Sequence, residues 1–99
     1  MNCHCSQCRK VTGSAFKPFG GIPLEKVRIV EGEDKTAHFG DGSAYDVHCR
    51  EYGSLLFSSV RNHQYAHVTY GTLSNTPSLR PTVHICVDSK ADWYEILDD

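Results

Sequence analysis

Cys3-His4-Cys5-Ser6-Gln7-Cys8-Arg9-Lys10-Val11-Thr12-Gly13-Ser14-Ala15-Phe16 is the stretch that decides the fold. Its C-x-C-x-x-C knot, Cys3, Cys5 and Cys8, can place three thiolates around one soft metal ion. Three protein ligands leave a fourth tetrahedral position for water or a substrate, the layout of a catalytic zinc site rather than a closed structural one. The competing reading is three reduced thiols in a frayed segment. Ser6 to Thr12 is expected to form one or two helical turns, with Ser6 as N-cap and Gly13 as the stop. A helix N-terminus just behind the cysteines would also favour thiolate over thiol.

The rest of the composition narrows the class. The chain has 99 residues, 39% of them hydrophobic and 22% charged, with a net charge of -2. That length suits one domain over 1–99. The sequence has no basic stripe for nucleic acid and no polybasic cluster for an anionic membrane. No apolar run approaches the roughly 20 residues of a membrane span, and the first residues hold no apolar signal-peptide region. The five cysteines are Cys3, Cys5, Cys8, Cys49 and Cys86. An odd count without a secretion signal argues against a disulfide framework and for metal ligands or reactive thiols in a reducing compartment, by default the cytoplasm.

Beyond Gly13 the signals are mainly β. Val27-Arg28-Ile29-Val30 is short and β-branched. Thr36-Ala37-His38-Phe39 runs into the turn Gly40-Asp41-Gly42-Ser43. Ala44 to Cys49 and Ser54 to Val60 flank the turn Arg50-Glu51-Tyr52-Gly53. Ala66 to Tyr70 alternates, with Val68 and Tyr70 on one face. Thr82 to Asp88 alternates more clearly, and Trp93 to Leu97 is a last short segment. Seven short strands split by Gly, Pro and Ser predict a mainly β domain. The loop Ser74 to Pro81, with two prolines, is expected to cross between strands.

Three blocks in order carry a family resemblance. They are the opening stretch, then His48-Cys49-Arg50-Glu51-Tyr52-Gly53-Ser54, then Gly71-Thr72-Leu73 with Pro81, His84-Ile85 and Ser89-Lys90-Ala91-Asp92-Trp93-Tyr94-Glu95-Ile96. Together they resemble the glutathione-dependent formaldehyde-activating enzyme family, which also includes centromere protein V. The resemblance implies the Mss4-like fold, antiparallel β-sheets around zinc, and a catalytic zinc on Cys3, Cys5 and Cys8. It also implies a structural zinc held by an upstream C-x-C and a later C-x-x-C. Here the sequence opens at Met1-Asn2-Cys3, without that upstream strand, and the later motif reads Cys49-Arg50-Glu51-Tyr52. The family's structural zinc is therefore not expected, and Cys49 becomes either a lone thiol at a strand end or a fourth thiolate closing the catalytic site.

The chemistry implied is that of a zinc-dependent carbon–sulfur lyase acting on glutathione–aldehyde adducts. Arg9 and Lys10 are candidates for the glutathione carboxylates, or simply offset thiolate charge. Ser14 can offer a hydrogen bond near the zinc. Lys90 and Trp93 are further substrate-binding candidates, Trp93 being more readily a sheet-packing residue. His4 is expected to orient its loop or face solvent, and Cys86 to be a small buried apolar residue. The alternative function is a non-catalytic zinc-binding module acting through a protein partner or a homodimer that covers an unpaired sheet edge.

Overall fold

In the computed structural model, residues 1–75 and 77–97 are described. Thr76, within the expected crossing loop, and Asp98–Asp99 lie outside them. Seven strands form one sheet: β1 Asn2–Cys3, β2 Lys17–Pro23, β3 Thr36–Gly40, β4 Tyr45–Cys49, β5 Leu55–Val60, β6 Tyr65–Thr69 and β7 His84–Ile85. The order across the sheet is β3-β4-β5-β6-β2-β1-β7. All neighbours are antiparallel except β1 and β7, which run parallel. One α-helix, α1 (Ser6–Thr12), follows β1 directly. Among the described residues the chain is mainly β with a single α-helix, as the alternation and turn signals predict.

The meander β3-β4-β5-β6 follows from its turns. Asp41 Oδ1 accepts the N–H groups of Ser43 (2.9 Å) and Ala44 (3.1 Å), an Asx-type turn that reverses β3 into β4. Gly40 before it has φ 142°, and a side chain there would press on the Ala44 oxygen and Tyr45 Cα. Gly53, at φ 80°, closes the next turn by donating its N–H to Cys49 O.

Three expectations change. Val27 to Val30 forms no strand. Val27 and Ile29 instead line grooves with Phe57, covering one sheet face without joining a ladder. The strand expected over Thr82–Asp88 shortens to His84–Ile85, because β1 offers only two residues to pair with. Trp93 to Leu97 adds no strand. Conversely, Lys17–Pro23 is a central strand despite two prolines and two glycines. Its prolines stand near the strand ends, where a missing N–H is tolerated.

Directly opposed residues share a sheet face. Val47, Phe57 and Val68 are opposed across β4, β5 and β6 and make the apolar face. The other face carries a polar row in the same three strands, Asp46 opposite Ser58 opposite His67. The buried set is correspondingly mixed. It contains Cys3, Phe19, Val47, Leu55, Ala66 and Ala91, but also Asn2, His4, Lys17, Ser58, Ser59 and Thr69. A core this polar needs a reason, because each buried polar group costs free energy unless it is paired.

Candidate metal centre and adjoining cavity

Two elements gather the cysteines of the opening stretch. Cys3 ends β1, is buried, and stands opposite Lys17 in the β1–β2 ladder. Cys5 occupies the N-cap of α1 in an extended conformation, and its sulfur accepts the Cys8 N–H at 3.3 Å. The expected cap, Ser6, is instead the first helical residue. A sulfur does what a serine oxygen usually does, so the turn that caps the helix is also the turn that gathers the cysteines. At the other end Gly13 adopts φ 62° and returns its N–H to Arg9 O, the stop expected of it.

The Sγ atoms of Cys3, Cys5 and Cys8 all lie within 4.8 Å of one another, and no other group of three or more such ligands occurs among the described residues. Zinc–sulfur bonds of about 2.3 Å in tetrahedral array need sulfurs about 3.8 Å apart, so the cluster could hold such an ion. The protonation pattern agrees. Burial alone would raise the Cys5 thiol, but hydrogen bonds from Cys8, Cys3 and the Gln7 backbone outweigh it and hold Cys5 below its ordinary value. Cys8 is pushed far up, first by burial and then by Cys5 and Cys3, with Lys17 opposing. The proton that Cys8 keeps is one a bound cation would displace.

His4, between two of the cysteines, is completely buried, and its Nε2 lies 2.8 Å from His84 Nδ1. Its ring packs at 5.0 Å from Phe16 and 6.1 Å from Tyr94. It orients the loop by tying β1 to β7. Burial, then the charges of His84, Lys90 and Arg9, keep it from protonating as readily as a free imidazole.

Cys86, expected to be buried, is exposed and has a left-handed backbone at φ 57°. It follows β7 directly, and its thiol hydrogen-bonds Cys3, which together with the Cys3 charge and slight burial raises it. It lies outside the mutual 4.8 Å set. Cys49 is also outside that set. It ends β4, where it lines a groove with Val27 and Phe57, and Tyr52 three residues on is 85% exposed.

A cavity of about 400 Å³ opens between α1 and the polar sheet face. Cys8 and Val11 form one wall, and Lys17, Asp46, Ser58 and His67 form the floor. None of these four floor residues is marked by the sequence. Lys17 opens a strand rich in proline and glycine, and the Asp46-Ser58-His67 row exists only through the register of three strands.

The other substrate candidates are dispersed. Arg9 is half-buried on α1, with an Nε that has no hydrogen-bond partner, and Lys10 is exposed. Ser14 is exposed and donates to Phe16 O at 2.8 Å, with Thr12 Oγ1 2.7 Å away. Lys90 gives hydrogen bonds to Ala91 O (3.1 Å) and Tyr94 O (2.6 Å), so it pins its own segment. Trp93 is 72% exposed rather than packed. Lys90 and Trp93 share a shallow notch formed by residues 90–96 alone.

The sequence profile of the glutathione-dependent formaldehyde-activating enzyme family matches residues 1–89. The chain belongs to that family. Similarity to individual members agrees with this. A Colletotrichum graminicola protein named, provisionally, as a glutathione-dependent formaldehyde-activating enzyme is 37% identical over 60 residues, 59% of this chain. The match spans 31% of that relative's length. A crystal structure of a Rhodobacter sphaeroides protein superposes with a TM-score of 0.62 at 25% identity, over 78% of this chain and 70% of that one. The glutathione-dependent formaldehyde-activating, Mss4-like fold expected from the three blocks is the fold observed.

Proposed function

We propose that the protein is a zinc-dependent carbon–sulfur lyase acting on glutathione–aldehyde adducts, working in the cytoplasm. The observation that carries this reading is the three-sulfur cluster standing at the wall of a cavity, with Cys8 belonging to both. Cys3, Cys5 and Cys8 would hold the zinc. When bound, zinc supplies a site at which a substrate thiol is held as thiolate.

The chain's own residues do the rest. The Cys5 cap and the Gly13 stop fix the helix that carries Cys8. α1 and the sheet enclose the reactants, which raises their effective concentration and limits water. In the forming direction the glutathione sulfur pair makes the new bond to the aldehyde carbon, and the carbonyl oxygen takes up one proton. In the reverse direction that C–S bond breaks, its electron pair returns to sulfur, and the hydroxyl proton is released. Arg9 and Lys10, on the same helix as Cys8, are the proposed contacts for one glutathione carboxylate near the surface.

The test is magnetisation exchange between formaldehyde hydrate and S-hydroxymethylglutathione in the zinc-loaded protein. The reading predicts exchange above the uncatalysed rate, abolished by Cys8→Ser. Exchange no faster than in buffer would overturn it. One observation favours a second reading, a zinc module acting by self-association: β3 is an open sheet edge bearing Phe39, 61% exposed. Such an edge is a template for pairing with a second copy. A concentration-dependent dimer without exchange activity would select that reading.

A further inference from the structure

Lys17 is the least expected residue in the interior. It is 5% exposed, and lysine is almost never buried without a charged partner. Its ammonium donates to Ser58 Oγ at 3.2 Å, and Ser58 in turn donates to Asp46 Oδ1 at 2.5 Å. The Phe19 ring lies 5.5 Å from Nζ. Among the described residues no carboxylate forms an ion pair with Lys17. An ammonium has three N–H donors and Ser58 takes one, so the charge is held in place but not neutralised by contact. An apolar side chain of similar length would serve folding as well or better. The cavity onto which Lys17 opens is where its charge has a use.

The neighbours define the ligand's chemistry. Cys3 opposes Lys17 in the ladder, so the cation stands on the cysteine side of the floor. Asp46 stands on the far side, with Ser58 between them. Asp41 adds a second carboxylate at the rim. His67 is kept neutral near pH 7 by burial and by the charges of Lys17 and Arg61. One cation and two carboxylates do not suit a plain anion. They suit a group that carries both signs close together.

We propose that the cavity floor binds a zwitterionic α-amino-acid head group, its carboxylate on Lys17 and its ammonium on Asp46. The inference rests on the proposed function only for the other end of the ligand, whose thiol would meet the cysteines. The γ-glutamyl end of a glutathione-like thiol has the required chemistry, and a cavity of about 400 Å³ is within the range of small-molecule sites.

The test uses the zinc-loaded protein and S-methylglutathione, whose blocked sulfur separates head-group binding from thiol coordination. Amide NMR shifts report affinity and location. The proposal predicts shifts at Lys17, Asp46, Ser58 and His67, and affinity about tenfold or more weaker in Lys17→Met, as befits a lost charge-assisted contact. N-acetylation of the ligand should weaken binding to the wild type by a similar factor and matter little in Asp46→Asn. Binding unchanged by Lys17→Met, or equally tight for the acetylated ligand, would overturn the proposal. If Lys17→Met does not fold, the free and acetylated ligands compared on the wild type decide alone. Lys17-dependent binding without aldehyde exchange would sink the lyase reading and leave this one standing, and exchange indifferent to N-acetylation would do the reverse.

Discussion

Two of the turns that bear cysteine differ in what their backbones do with the sulfur. At Cys3–Cys8 a strand end, an N-cap and a first helical turn converge, and three sulfurs fall within 4.8 Å. At Cys49–Gly53 a hairpin turn closes through Gly53 N–H to Cys49 O and Cys49 N–H to Ser54 O at 2.8 Å each, with His48 Nδ1 2.9 Å from Gly53 O. There the sulfur has no structural task and Tyr52 projects into solvent. A cysteine is suited to be a ligand where local geometry already uses its sulfur. Cys5, already accepting the Cys8 N–H, is the instance here.

The largest expected effect breaks the first turn. Cys8→Ser should reduce zinc affinity by more than the roughly 10–100-fold that loss of a supporting outer-shell partner costs, read by competition with a chelating dye. Cys5→Ser should do the same while the far-ultraviolet circular dichroism remains that of a folded β domain. Collapse of the whole sheet in Cys5→Ser would instead make the cluster the fold's keystone.

Gly13→Ala sharpens the comparison without touching a ligand. No atom lies within 4 Å of an added Cβ, so the effect is that of the left-handed φ alone. It should cost about 1 kcal/mol of stability, measured by urea unfolding, and loosen zinc with it. An unchanged unfolding midpoint would show that the helix stop does not hold the knot.

The pH response is smaller, and His67 on the cavity floor supplies a part of it alongside buried His4. Burial, then Lys17 and Arg61, lower the proton affinity of His67 in the folded chain. The unfolded chain therefore binds this proton more readily. Stability is complete above the unfolded imidazole value near 6.5 and falls as pH drops through it toward the lower folded value. Urea midpoints should decrease from pH 7.5 to pH 5, and His67→Gln should reduce the decrease. An identical decrease in the variant would remove His67 from the account.

The smallest effects belong to the second turn and to Cys86. Cys49→Ser and Cys86→Ser should leave zinc stoichiometry unchanged, and Cys49→Ser should stay within about 0.5 kcal/mol in stability, as for surface changes generally. Loss of zinc in either would mean that the knot recruits a thiol beyond its own three.

The sequence makes the knot, the helix behind it and the three hairpin strands with their turns legible, because each is encoded within a few residues. Non-local features are not. Val27 to Val30 has the composition of a strand, yet Val27 and Ile29 only line grooves with Phe57 and the segment joins no ladder. Lys17–Pro23 has the composition of a loop, yet its ladders with β1 and β6 make it central. Trp93 is apolar in type and exposed in place. The cavity floor was the least legible part, since Lys17, Asp46, Ser58 and His67 come from four strands and meet only through register.

The most direct test of the central claim, an open three-sulfur zinc site, is zinc content per chain with zinc-edge X-ray absorption, with and without glutathione. The account predicts one zinc bound by three sulfurs and a light atom, rising to four sulfurs with glutathione, in the wild type and in Cys86→Ser alike. Four sulfurs from the outset, unmoved by glutathione and falling to three in Cys86→Ser or Cys49→Ser, would mean a closed structural site and contradict it.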